Sequence, residues 1–262
     1  MTNARARAIL LAVVLATTAV SVDAERIECG KNRHMEVVSY KWELNGILSW
    51  IAGLRFPTHG NGSLATIVRE NGSIGTELRI ISHKGANDLY QYQSEINPRN
   101  LLTLTTLDGY KFEGRNRTMT TTFDYGAKTM RRVKNDTKQG VSGKTRIDPL
   151  PAGDVRDVLS VIHYLRKSAT RIEKPVTTKV YSAGKLYDVI LTPGSESKVS
   201  FEGARVAARQ YTISASAADR KKWPGDVSFW LTRDERAIPV RILIRQRGAS
   251  LDLSAEAVYT CP

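Results

Sequence analysis

The stretch Val37-Val38-Ser39-Tyr40-Lys41-Trp42-Glu43-Leu44 shows the pattern that decides the fold, because apolar and polar residues alternate along it. Successive side chains of a strand point to opposite faces, so the alternation predicts a strand that is buried on one face. The dipeptide Asn45-Gly46 follows, and it is typical of tight hairpin turns. We therefore expect the chain to run back over residues 47–55.

Similar short runs recur about every ten residues along most of the chain, a spacing typical of an antiparallel sheet. Turn dipeptides such as Asn71-Gly72, Asp108-Gly109 and Tyr125-Gly126 separate several of them. One segment differs, since residues 154–168 carry apolar residues at helical spacing and predict one central α-helix. Residues 131–152 are basic with few apolar side chains, which predicts a long surface loop between two halves of the sheet.

Composition excludes several classes of protein. The chain has 262 residues, of which 41% are hydrophobic and 25% charged, which argues against a wholly disordered protein. Two cysteines are too few for a disulfide-rich miniprotein or a Cys-rich metal module. The formal net charge of +13 favours an acidic partner such as nucleic acid, anionic lipid or anionic polysaccharide.

The first 24 residues have the pattern of a cleaved secretory signal peptide. Arg5 and Arg7 precede the uncharged apolar run Ala8 to Val20, and Val22-Asp23-Ala24 ends in a small residue suited to cleavage. The alternative, a membrane anchor, needs about 20 apolar residues. We therefore expect residues 25–262 to form a single β-rich domain in the periplasm, without a later transmembrane helix and without nucleic acid as a partner.

The two cysteines lie near opposite ends of that domain. Cys29 follows soon after the predicted cleavage site, and Cys261 is the penultimate residue. Because an oxidising compartment favours disulfides, we predict that they pair and hold the two ends together. Two free thiols are the alternative.

The sequence predicts neither a catalytic site nor a metal-binding site, and no cofactor. Gly140 to Thr145 resembles part of a phosphate-binding loop, but Lys138 occupies the position of its first glycine. Asp157, Ser160 and His163 lie three residues apart on the predicted helix, where we expect a solvated face and not a hydrolytic triad. The four histidines lack the spacing of a zinc site.

Two further segments carry a resemblance to a known family. The run Asp157-Val158-Leu159-Ser160-Val161-Ile162-His163-Tyr164-Leu165-Arg166 is similar to the helix of the bacterial domain-of-unknown-function family 3108. Phe229 to Asp234, followed by Ile238 to Ile242, resembles the closing strand pair of that family, with Thr232 where serine is usual. The resemblance implies an exported protein of Gram-negative bacteria, built as a strongly curved antiparallel sheet, either an open barrel or a β-spiral, around one helix.

The resemblance implies no catalytic residues, so we expect a non-enzymatic binding or envelope-integrity protein. Its predicted ligand is a lipid, a glycolipid or an anionic envelope polymer, or else a protein partner, with membrane-surface contact through basic residues. Trp42, Trp50 and Trp230 are the candidate ligand contacts on the concave face, with a purely structural core role as the alternative. A hydrolase of envelope polymers is the alternative function.

Overall fold

The computed structural model describes residues 35–46, 58–82, 89–112, 114–150, 152–168, 172–182, 185–217, 225–246 and 248–261. Within these residues the chain forms fifteen strands, one α-helix named α1 (Val158–Ser168) and a 3-10 turn (Thr137–Gln139). The strands are β1 (Met35–Gly46), β2 (His59–Val68), β3 (Ile74–Ser82), β4 (Leu89–Ile96), β5 (Thr103–Phe112), β6 (Arg115–Asp124), β7 (Thr129–Asp136), β8 (Val141–Pro149), β9 (Val155–Asp157), β10 (Val176–Ser182), β11 (Lys185–Phe201), β12 (Ala204–Ala217), β13 (Gly225–Thr232), β14 (Pro239–Gln246) and β15 (Ala249–Cys261).

All fifteen strands belong to one sheet, in the order β8-β7-β6-β5-β4-β3-β2-β1-β15-β14-β13-β12-β11-β10-β9. Neighbours are antiparallel except for β9 and β10, which run parallel. Ser94 of β4 is hydrogen-bonded to Asp157 of β9, so the sheet curls until one of its edges meets the inner face of its other half. The two edge strands do not pair with each other. The prediction of a mainly β protein with a strongly curved, open sheet is confirmed.

Helix α1 lies inside the curl and completes the core. Leu159, Ile162 and Leu165 are at most 4% exposed and belong to one apolar cluster with residues from both halves of the sheet. Burying a large aliphatic side chain contributes about 1.5–3 kcal/mol. The predicted apolar face of β1 is part of this cluster, and Tyr40 also donates a hydrogen bond of 2.7 Å to the carbonyl of Pro239. The helix is therefore held by packing on several sides.

The central helix begins at Val158, four residues later than residue 154, where the sequence predicted its start. Residues 155–157 instead form β9, which pairs in parallel with residues 179–181 of β10. Val155 is wholly buried in that strand. Its apolar side chain fits the helical pattern as well as it fits a buried strand, so spacing did not distinguish the two.

Two predicted turns are wrong. Asn45 and Gly46 pair with Ser250 and Ala249, so β1 continues through them and no hairpin forms there. On its other side β1 pairs with β2, and residues 47–57 lie outside the described residues. Asp108-Gly109 likewise pairs with Tyr92 and Gln91 inside β5. Asn45 and Gly46 continue the ladder with β15, and Asp108 and Gly109 are paired on both sides, with β4 and β6. In both places the ladder outweighs the local turn preference.

The predicted basic loop at residues 131–152 is also wrong, because most of that segment forms strands β7 and β8 at one edge of the sheet. Few apolar residues are needed in an edge hairpin that is largely solvated. Ion pairs stabilise it instead: Asp148 pairs with Arg132 and Arg146, and Asp136 pairs with Arg115 of β6. The two halves of the sheet are joined by the segment between β8 and β9.

The two cysteines are only partly covered by the structure. Cys261 ends β15, is 6% exposed and is not a free thiol, whereas Cys29 lies outside the described residues. The predicted signal peptide at residues 1–24 also lies outside them. Within the described part of the chain, no helix is both long and apolar enough to cross a membrane.

Candidate functional site

An apolar cavity of about 220 Å³ lies between the first turn of α1 and strands β10 to β13. Each of the four strands contributes two side chains that are two residues apart, as expected for one face of a pleated sheet. The helix contributes two more. The lining side chains are Val158, Val161, Val180, Ser182, Tyr187, Val189, Ile213, Ala215, Val227 and Phe229.

The chemistry of this cavity is that of a binding site for a small apolar group. Its polar side chains are the hydroxyls of Ser182 and Tyr187, and neither a carboxylate nor an amine is part of the lining. Val158 is 36% exposed at the start of α1, so one apolar lining residue reaches the solvent. Pockets for drug-sized ligands usually measure about 300–1,000 Å³, so this cavity suits a segment of one acyl chain.

A capping box fixes the helix turn that forms one wall of the cavity. The backbone N–H of Ser160 donates to Oδ1 of Asp157 at 2.7 Å, and the backbone N–H of Asp157 donates to Oγ of Ser160 at 2.8 Å. This reciprocal arrangement satisfies two backbone donors at the helix start. Both residues are fully buried.

Side chains from the opposite half of the sheet complete the network around Asp157. Its carboxylate accepts a hydrogen bond from the hydroxyl of Ser94 on β4, and its backbone N–H also donates to Oγ1 of Thr103 on β5 at 2.8 Å. The hydroxyl of Tyr125 donates to the carbonyls of Thr103 and Val155. We name these contacts the seam, comprising Ser94, Thr103, Tyr125, Val155, Asp157 and Ser160. The seam joins β9 to the inner face of β4 and β5.

The seam corrects the prediction that Asp157 and Ser160 lie on a solvated helix face. Burial raises the pKa of the Asp157 carboxyl, while hydrogen bonds from Ser160 and Ser94 partly oppose that rise. The expectation that these residues do not form a triad agrees with the geometry. The hydroxyl of Ser160 donates to Asp157 at 2.7 Å, while Nε2 of His163 is 2.6 Å from the hydroxyl of Thr76.

His163 borders a second, more polar cavity of about 420 Å³ near the end of α1. Burial, together with the nearby Arg166 guanidinium, lowers the pKa of His163 to about 4. Arg166 donates to both carboxylate oxygens of Glu36, at 2.7 and 3.0 Å, and to the carbonyl of Arg236. This cavity is therefore lined by groups that already bind each other.

Of the three predicted tryptophans, the two that the structure describes, Trp42 and Trp230, line neither cavity. Trp42 is 5% exposed in the core, and its indole N–H lies 3.0 Å from the carbonyl of Ile81. Gly60 permits this packing, since a Cβ there would lie 2.7 Å from Nε1 of Trp42. Trp230 is half-buried, with the guanidinium of Arg241 5.1 Å above its ring, and Trp50 lies outside the described residues.

The cavity-lining residues were not predicted as a site from the sequence. The spacing in the sequence places Tyr187 and Val189 on one strand face, and likewise Val227 and Phe229. Nothing in the sequence indicates that these strands leave space beneath α1.

Among the described residues, no group of three or more His, Cys, Asp or Glu side chains could hold a metal ion.

The fold defines a class of β-barrel-like proteins in which one curled, open sheet surrounds a helix. A family model described as a protein of unknown function (DUF3108) matches residues 20–248, so the chain belongs to that family. This confirms the resemblance found in the sequence. No curated protein matches the chain.

Solved structures of other proteins are similar at low sequence identity. The beta-barrel-like protein of domain of unknown function DUF1849 from Brucella abortus is 10% identical, with a TM-score of 0.58 over 88% of this chain and 99% of that chain. The Mycobacterium tuberculosis lipoprotein LppX is 12% identical, with a TM-score of 0.29 over 86% of each chain. The first similarity concerns the fold alone, and the second is too low to carry an argument.

Proposed function

We propose that this protein is an exported envelope protein that binds a lipid-like ligand and does not catalyse a reaction. One acyl chain of the ligand occupies the cavity between α1 and strands β10 to β13. The predicted signal peptide and disulfide fit a periplasmic location, and the positive net charge suits contact with anionic head groups at a membrane surface.

The observation that carries the proposal is the apolar lining of the cavity beside a partly exposed valine. An acyl chain gains free energy when it leaves water for such a surface, about 0.8 kcal/mol for each buried CH₂ group. The hydroxyls of Ser182 and Tyr187 are suited to hydrogen-bond a carbonyl or hydroxyl near the end of the chain.

Binding of cis-parinaric acid, a fluorescent fatty acid, tests the proposal directly. We expect saturable binding to the purified protein, and the substitution Ala215→Phe should weaken it at least tenfold because the ring fills the cavity. Ala207→Phe is the matched control, since it makes the same change at an exposed position of the same strand and should leave binding unchanged. Thermal melting of both variants establishes that each is folded.

Mass spectrometry of an organic extract of the purified protein supplies a second measurement. We expect a lipid to be present in wild type and reduced in the Ala215→Phe variant. Absence of bound lipid together with absence of parinarate binding would contradict the proposal. Turnover of an envelope polymer, abolished by Ala215→Phe and retained by Ala207→Phe, would favour the hydrolase alternative.

A further inference from the structure

The two edges of the sheet differ in how well they are covered. Strand β9 has only three residues, all buried, and the seam covers its outer side. Strand β8 has nine residues, of which Ser142 to Ile147 are all exposed. Ile147 has a relative exposure of 65%, the largest among the exposed large hydrophobic residues of the described chain. Among the described residues, one edge is therefore covered and the other is open.

The open part of β8 has defined limits. Gly143 has a φ of +62° next to an irregularity in the pairing with β7, and Pro149 ends the strand. Between them, Lys144 to Asp148 pair regularly with residues 130–134 of β7. In an antiparallel edge strand, alternate residues direct their N–H and C=O groups away from the neighbour. This five-residue segment can therefore pair with one more short strand.

The charge of the β7–β8 hairpin indicates the chemistry of the additional strand that could pair with β8. Residues 129–149 contain six Lys and Arg but only two Asp. Both aspartates are already paired, Asp136 with Arg115 and Asp148 with Arg132 and Arg146. A group of basic residues has no carboxylate partner within the described part of the chain; it comprises Arg131, Lys138 and Lys144.

We propose that β8 docks an extended acidic segment of a partner protein, which adds to the sheet as a sixteenth strand. A second copy of this chain is disfavoured, because pairing two β8 strands would bring their basic residues together. Lys144 and Arg146 share one face of β8, while Thr145 and Ile147 share the other. The partner segment should therefore alternate acidic residues facing Lys144 with apolar residues facing Ile147.

A labelled peptide in which Glu and Val alternate over eight residues is the probe, with binding followed by fluorescence anisotropy. Lys144→Glu and Ile147→Ser should each weaken binding at least fivefold, since both positions are exposed and the changes leave the core intact. Lys198→Glu, at an exposed position of β11, is the matched control for the charge change and should leave binding unchanged.

Two further probes separate strand addition from general attraction of anions. Methylation of alternate peptide nitrogens keeps charge and sequence but removes hydrogen bonds, so one of the two methylation patterns should abolish binding. Equal binding of the two methylated peptides and of a polyglutamate of the same charge would overturn the proposal. The proposal would also be overturned, in favour of a membrane contact, if anionic phosphatidylglycerol vesicles bind through Lys144 and the peptide does not bind. Neither result depends on the apolar cavity.

Discussion

Asp157 is the residue at which most hydrogen bonds of the seam meet. Its carboxylate accepts hydrogen bonds from Ser94 and from both the backbone and the hydroxyl of Ser160. Because these donors are buried, removing their acceptor leaves them without partners, and the helix loses its N-cap. Asp157 therefore stabilises the folded state, and its substitution tests the contribution of the whole seam.

We expect Asp157→Ala to lower the free energy of unfolding by about 2–4 kcal/mol. Asp157→Asn should cost less, about 1 kcal/mol, because the amide oxygen still accepts hydrogen bonds and burial already favours a neutral group at this position. Urea denaturation at neutral pH measures both changes. Asp226→Ala, at an exposed position of β13, is the control and should have little effect. Equal costs for Asp157→Ala and Asp226→Ala would contradict the role given to the seam.

His163 should make stability depend on pH in one direction. Its pKa is about 4 in the folded protein and 6.5 in the unfolded chain, so the unfolded state binds more protons between these values. The stabilising contribution is fully present above about pH 6.5 and is lost as the pH falls towards 4. We expect this loss to be on the order of 1–3 kcal/mol.

Urea denaturation at pH 7 and pH 5 measures the contribution of His163. The difference between the two pH values should be smaller in His163→Gln than in wild type. His59→Gln, a change at an exposed histidine, should retain the wild-type difference. An unchanged difference in His163→Gln would show that another group is responsible.

At the scale of elements, alternation predicted strands such as β1 well because they are buried on one face only. The turns were harder to predict: Asp108-Gly109 is a strong turn signal, yet hydrogen bonds to β4 and β6 on both sides keep it in a strand. The β7–β8 hairpin was missed because its residues are mostly polar and lack an alternating apolar pattern. Its stability depends on ion pairs such as Arg132 with Asp148, which become visible only once the strands are paired.

The candidate cavity could not be predicted from the sequence because it depends on how α1 is placed against four strands. The sequence does contain one signal for that placement. Asp157 followed three residues later by Ser160 fits a capping box, which would have placed the start of the helix at Val158. The burial of Asp157 and Ser160 has no local cause in the sequence. It depends on the partners Ser94 and Thr103, which lie more than 50 positions earlier.

At the scale of the whole molecule, the sheet joins the two ends of the described chain. Strands β1 and β15 pair along their whole length, with Met35 opposite Cys261. Cys29 precedes Met35 by only six residues, a distance along the chain that allows it to reach Cys261. The pairing of the first and last strands therefore favours the disulfide predicted from the sequence.

We expect denatured, unreduced protein to contain no free thiol, as measured by alkylation and intact mass. Because a disulfide restricts the unfolded chain, reduction should cost about 2–5 kcal/mol, or about 5–15 °C in Tm for a chain of this size. The double variant Cys29→Ser, Cys261→Ser should have the same lowered Tm, and a reducing agent should not change it further. Two alkylated cysteines in untreated wild type would contradict the prediction, and the β1–β15 ladder would then hold the ends together without a covalent bond.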